Sequence, residues 1–206
     1  MSFSYNLLIK NQSIERCKTM EEKKTDRRTL KTRKAIYNVL MELLLQKELH
    51  KVTVQEISDL ADINRTTFYK HFLDVYDLYD KLEQDILVEW GMLVLNMQDL
   101  RSKEFFDSLV SYVDKNRNVF KMVFSSKAPG QLRIRFEKLL EGLLQKIEAE
   151  KKGADIKDVK LSYQTGYRSQ GCIAVLSKWI DQGSDQPKEF IVKVLSELDT
   201  SVEKVM

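Results

Sequence analysis

Three helix starts are packed between Thr53 and Asp77. Thr53-Val54-Gln55-Glu56 has the form of a capping box, in which the threonine hydroxyl and the glutamate carboxylate each satisfy an orphan backbone amide. Val52 before it and Ile57 after it have the spacing of a hydrophobic staple. The same grammar recurs at Asn64, flanked by Ile63 and Phe68. It recurs again at Asp74, flanked by Leu73 and Leu78, with Asp77 at the third helical position. Starts so close together leave room for two very short helices, about 54–61 and 65–72, and for the beginning of a third. The short ones are joined by the turn Asp62-Ile63-Asn64, and two short helices across such a turn form a helix-turn-helix.

A helix that short is unstable alone in water, so a neighbour must hold it and its outer face is available for use. Within 65–72, Phe68 and Phe72 lie four apart and point inward, with Ala61 and Ile63 as their expected contacts. The opposite face carries Arg65, Thr66, Tyr69 and Lys70, with Thr67 and His71 on its flanks. These cationic and hydrogen-bonding groups suit phosphates and base edges. The free amides and partial positive charge at the helix start favour phosphate as well. An ordinary polar surface on a small helical domain would use the same residue types.

The rest of the chain reads as longer helices. With only two Pro and seven Gly in 206 residues, the chain lacks the turn-makers of a sandwich or barrel. Ala35, Ile36, Val39, Leu40, Leu43 and Leu44 recur at three- and four-residue steps, giving a first helix from Leu30 to about Lys47. After Asp74, helices are expected at about 75–99, 102–115, 117–125, 130–151, 156–182 and 187–204. The expected fold is all-α, with a flexible leader over 1–28, a three-helix domain carrying the helix-turn-helix over 29–89 and a further helical domain over 90–206.

Charge is unevenly spread along the chain. Residues 1–73 hold 14 Lys and Arg against 9 acids, whereas 74–206 hold 20 against 22. Lys23, Lys24, Arg27, Arg28, Lys31, Arg33 and Lys34 form a basic run that is either a solvated helix start or an arm gripping phosphate. The opening MSFSYNLLIK has no signal-peptide pattern, Met20 is an equally good start, and residues 1–19 are expected to be dispensable for DNA binding. No apolar stretch is long enough to span a bilayer. Two distant cysteines, Cys17 and Cys172, exclude a disulfide scaffold and fit a cytoplasmic protein.

Enzyme chemistry finds no footing. The chain has no GxxxxGK[ST], strand-led GxGxxG, CxxC, HExxH or GxSxG. With His50 and His71 its only histidines, a His-rich metal site is not available. Cys172 in an apolar run reads as a small buried hydrophobe. No catalytic residue, metal or cofactor is expected.

Residues 29–89 resemble the DNA-binding domain of the TetR/AcrR family of transcriptional regulators. The resemblance rests on Thr32-Arg33-Lys34-Ala35-Ile36, Thr53-Val54-Gln55-Glu56-Ile57, Ala61, Ile63, Thr67-Phe68-Tyr69-Lys70-His71-Phe72 and Leu78. It implies that Thr53, Thr67, Tyr69 and His71 bind phosphate and that Arg65, Thr66 and Lys70 lie nearest the bases, with Arg33 also among the DNA contacts. Two positions depart from the family pattern. Asp62 stands where the family usually has Gly, and Asp tolerates positive φ better than most residues. Val75 stands where the family favours a Lys that reaches a backbone phosphate.

The resemblance further implies that 29–89 is the DNA-binding domain and 90–206 the regulatory and dimerisation domain, with a homodimer, a near-palindromic double-stranded operator and a small-molecule effector. The chain is then a ligand-responsive repressor. A coregulator acting mainly through a protein partner, or a small-molecule-binding protein with a vestigial helix-turn-helix, are the alternatives. Residues 90–206 supply Trp90, Met92, Met97, Phe105, Phe106, Tyr112, Phe120, Met122, Phe124, Phe136, Tyr163, Tyr167 and Trp179 as core or pocket walls. The expected dimer face takes Ile173, Val175, Leu176, Trp179, Ile180, Ile191, Val194, Leu195 and Leu198 from the last two helices. The segment Gly166–Gly183 with the last helix resembles the family branch that includes regulators of dihydroxyacetone kinase operons.

Overall fold

The computed structural model describes residues 27–97, 102–183 and 185–205, and all regular structure among them is helical. Helix α1 runs over 27–46 and is followed by a single 3-10 turn, Leu49–Lys51. Then come α2 (Val54–Leu60), α3 (Arg65–Tyr69), α4 (Val75–Met97), α5 (Ser102–Lys115) and α6 (Arg117–Phe124). The chain closes with α7 (Gln131–Lys152), α8 (Val159–Asp181) and α9 (Lys188–Val205). No helix among the described residues is long and apolar enough to cross a membrane.

Most boundaries follow the caps. The Thr53 hydroxyl accepts from Glu56 N at 3.2 Å, and the Asn64 side chain accepts from Thr66 N at 2.9 Å. Asp74 and Asp77 form a variant of the box: Asp77 N donates to Asp74 Oδ1, and Asp77 Oδ2 accepts from Leu73 N, one residue before the cap, both at 2.8 Å. Gly153, with φ at +61°, ends α7 in a left-handed cap that lets Ala154 N reach back to Ala149 O.

Several expectations are corrected. The leader was drawn to residue 28, but Arg27 and Arg28 already lie on α1; the rest of it is outside the described residues. Glu56 does not complete the first capping box, because Lys47 Nζ holds both of its carboxylate oxygens at 2.5 and 2.6 Å. Leu73 staples nothing and is 78% exposed, since the chain turns outward there to let Asp77 bond its amide. Helix α3 stops at Tyr69 rather than residue 72, although Phe72 N still bonds Phe68 O at 3.0 Å. Helix α8 begins at Val159 rather than 156 because Asp158 is its cap, accepting from Leu161 N at 2.9 Å.

One hydrophobic core runs through the described residues. Ile36, Leu40 and Leu44 of α1, Ile57 of α2, Phe68 and Phe72 at α3, and Leu78 of α4 are buried. Further along, the Trp90 ring on α4 lies 4.7 Å from Phe136 and 5.9 Å from Phe120, and Phe120 lies 5.1 Å from Phe136. Helix α4 therefore belongs to both parts of the molecule. Two polar contacts join the parts as well. Lys127 Nζ, in the loop before α7, donates to the Gln46 carbonyl at the end of α1 at 3.0 Å, and Arg135 of α7 lies 3.1 Å from the Glu83 carboxylate of α4.

The expected dimer set is also corrected. Ile173, Leu176, Trp179, Ile180, Ile191 and Leu195 are buried inside one copy of the chain, where α5, α6 and α7 cover them. Of that set Leu198 stays exposed, as do Val159, Tyr163 and Tyr167 on α8. The aromatic and methionine supply is divided likewise: Met92, Tyr163 and Tyr167 are exposed, Tyr112 is partly buried and the others are core.

Candidate nucleic-acid interface

The turn that sets α3 against α2 passes through Asp62 with φ at +51°. This is the left-handed conformation that glycine adopts freely, and the Asp side chain tolerates it. After the turn, the Asn64 side chain accepts from the Thr66 amide, the second of α3, and also from the Thr66 hydroxyl, both at 2.9 Å. Helix α3 has only five residues, so its orientation depends on anchors. Phe68 is fully buried beneath it, and Phe72 is buried just beyond it.

The outer face is as the sequence predicts. Arg65, Thr66, Tyr69 and Lys70 are exposed, and Thr67 and His71 are half-buried at its edges. The Arg65 guanidinium lies 6.0 Å from the Tyr69 ring centroid and 3.4 Å from its hydroxyl, so the two form a pair one turn apart. Lys70 has no ion-pair partner among the described residues. Thr53 at the start of α2 is exposed; its hydroxyl oxygen accepts the cap bond, which leaves its O–H to donate. Burial, reinforced by the charges of Arg33 and Lys70, holds the His71 imidazole below its ordinary value. Near neutral pH it is therefore uncharged and offers one N–H.

Arg33 is placed differently from the others. Its guanidinium donates to the Tyr37 hydroxyl at 2.8 Å and to Asp85 Oδ2 of α4 at 3.2 Å. It also lies over the rings of Tyr37 and Phe72. Sequence reasoning missed this cluster, because Asp85 is far along the chain and only the fold brings it to α1. It also missed Lys81, which binds Asp77 at 2.9 Å and the His71 carbonyl at 3.3 Å. The i,i+4 spacing of Asp77 and Lys81 was a visible signal for half of that contact.

Val75 is buried, with 6% exposure, as part of the core at the start of α4. The cavity among α4, α5 and α7, where a ligand is expected, is small. Trp90, Leu93, Met97, Leu109 and Phe136 surround about 20 Å³. That is room for about one water molecule, and far below the roughly 300–1,000 Å³ of a small-molecule pocket. Burial pushes the Cys172 thiol up to about 12, which keeps it protonated.

Comparison with known proteins gives a consistent picture. Residues 101–200 match the family described as the TetR-type transcriptional regulator C-terminal region. No curated protein matches in sequence. Among solved structures, the chain is similar to a TetR transcriptional regulator from Streptococcus agalactiae, at 23% identity and a TM-score of 0.57 over 84% of this chain and 96% of that one. It is similar to the dihydroxyacetone kinase operon activator DhaS, at 21% identity and 0.55, over 85% of this chain and 97% of that one. It is also similar to FadR from Bacillus subtilis in complex with stearoyl-CoA, at 15% identity and 0.57, over 80% and 95%.

Proposed function

We propose, for a chain that has the fold of the TetR/AcrR family and a C-terminal region of that family, that it binds double-stranded DNA as a homodimeric transcriptional regulator. The observation that carries this is the sidedness of α3. Its apolar residues are buried and everything it shows to solvent can hydrogen-bond or carry positive charge. In this reading α3 enters the major groove, with Arg65, Thr66 and Lys70 at base edges. Thr53, Thr67, Tyr69 and His71 position the phosphates. The operator is near-palindromic, because a twofold dimer presents two copies of α3.

The dimer forms through the outer faces of α8 and α9, where Val159, Tyr163, Tyr167 and Leu198 are exposed. A groove of about 310 Å³ between the two helices, lined by Tyr167, Gly171, Ala174 and Leu198, offers a self-complementary surface beside them. The protein acts in the cytoplasm and represses its target, releasing DNA when an effector binds. Stearoyl-CoA in Bacillus subtilis FadR supports a small-molecule effector in this fold. Here the cavity among α4, α5 and α7 is small, so such a ligand has to widen it in order to enter.

The small size of that cavity also favours a second reading, in which the effector is a protein and the chain is a coregulator. Similarity to an operon activator is compatible with it. The test is electrophoretic mobility shift of the purified chain on the region upstream of its own gene. A specific shift supports direct DNA recognition; no shift at micromolar protein, with a shift once a partner is added, supports the coregulator.

A further inference from the structure

The recognition helix is too short to hold itself, and Phe72 is the anchor at its trailing end. Two cations lie over the Phe72 ring: the Arg33 guanidinium from α1, 6.0 Å from the centroid, and Lys81 Nζ from α4, 5.4 Å away. The Tyr37 ring is 5.8 Å from it. Cation–ring contacts constrain an anchor only when the cation itself is held in place, since a long side chain otherwise samples many rotamers. Lys81 is held by Asp77 and the His71 carbonyl. On the other side, one oxygen does the holding: Asp85 Oδ2 accepts from Arg33 at 3.2 Å and from the Tyr37 hydroxyl at 2.9 Å.

We propose that Asp85 is a positioning residue for DNA binding: by fixing Arg33 and Tyr37 against Phe72, it sets the attitude of α3 toward the groove. Arg33 then serves DNA recognition through its contacts within the protein rather than as a phosphate contact. The inference rests on the reading of α3 as the DNA-reading helix. Asp85 is well placed for a second reason, because it lies little more than one turn before Trp90, which is packed among Phe120 and Phe136. Any repacking of those rings that shifts α4 moves Asp85 relative to α1, and so reaches α3 through this contact.

The pair is at the surface, with side-chain exposures of 35% for Arg33 and 56% for Asp85, so its loss should leave global stability nearly unchanged. The test uses the full chain and a duplex that the parent enriches from a random-sequence pool. Asp85→Asn, Arg33→Gln and the double variant are measured for affinity and melting temperature, with Tyr69→Ala as a control on α3 itself. Each single variant should weaken binding by about tenfold, and the double by about tenfold rather than a hundredfold, because both remove one contact. Melting temperatures should stay within about 2 °C of the parent. The charge swap Arg33→Asp with Asp85→Arg should recover part of the affinity. Tighter binding by Asp85→Asn would mean that Asp85 competes with phosphate for Arg33, and would overturn the proposal. Parent-like binding of Asp85→Asn alongside weakened Tyr69→Ala would overturn it too, while leaving the role of α3 intact. Parent-like binding of Tyr69→Ala would instead count against the reading of α3.

Discussion

The Arg168 guanidinium of α8 makes two parallel hydrogen bonds to the Asp199 carboxylate of α9, at 2.7 and 2.9 Å, and both side chains are almost wholly buried. Glu148 of α7 lies 3.0 Å from the same guanidinium, so a single cation ties three helices together. Taking such charges out of water is costly, and the cost is offset only while the set is complete. Arg168→Met should therefore lose about 3–5 kcal/mol of stability, because it removes the buried cation that Asp199 and Glu148 share. Replacing Arg168, Asp199 and Glu148 together by apolar residues should recover most of that loss. Urea unfolding of the variants checks both; a loss below about 1 kcal/mol for Arg168→Met would show that water reaches the carboxylates.

The face of α3 predicts two kinds of DNA-binding defect. Lys70→Ala or Arg65→Ala should cost about 1–3 kcal/mol and relax preference at one base pair per half-site. Tyr69→Ala should weaken every sequence about equally. Affinities for the selected operator and a scrambled duplex across a salt series separate the two. If all three variants bind like the parent, α3 is not the reader.

Val75→Lys looks, from the family pattern alone, like a way to add a phosphate contact. The burial of Val75 changes that expectation. Forcing an ammonium stem into the start of α4 should destabilise the protein by about 1–3 kcal/mol, with Val75→Ala as the size control. Thermal melting decides it: an unchanged midpoint together with tighter binding would mean that the lysine stem finds its way out to solvent.

His71 gives the helix-turn-helix a pH dependence of defined sign. Its imidazole is held below its ordinary value by burial, then by Arg33 and Lys70. Below about pH 6.5 the unfolded chain takes up a proton before the folded one does. Folding stability from this group is thus complete above that pH and declines as pH falls toward the lowered folded value. His71→Gln should remove this component from the parent's stability profile between about pH 4 and 8. An identical profile in the variant would show that other groups account for any acid sensitivity.

The short helices were legible because caps are local: Thr53, Asn64 and Asp74 act on amides two or three residues away, and periodicity put Phe68 and Phe72 inside. The outer face of α3 followed from the same spacing. What the sequence could not reveal is which of two partners wins. Glu56 could bond its own cap or Lys47, and only the placement of α1 beside α2 gives it to Lys47. Arg33 had phosphate as an obvious partner until the fold brought Asp85 alongside. The buried stripe of α8 and α9 reads equally as interface or interior; α5, α6 and α7 cover it, which hydropathy alone does not reveal.

The five-residue length of α3 limits how much information it can extract from DNA. Of the side chains shown outward, three stand at base edges in this reading: Arg65, Thr66 and, just past the helix end, Lys70. Three base pairs read completely carry about 6 bits, since each pair is one of four in the major groove. Two copies reach about 12 bits, whereas singling out one address among roughly a million competing sites takes about 20. A dimer reading DNA through α3 alone would therefore find on the order of a few hundred equally good matches in such a genome. Uniqueness has to be added by groove shape, by residues beyond α3, or by several dimers on neighbouring half-sites, and a regulator so built is suited to governing a set of genes.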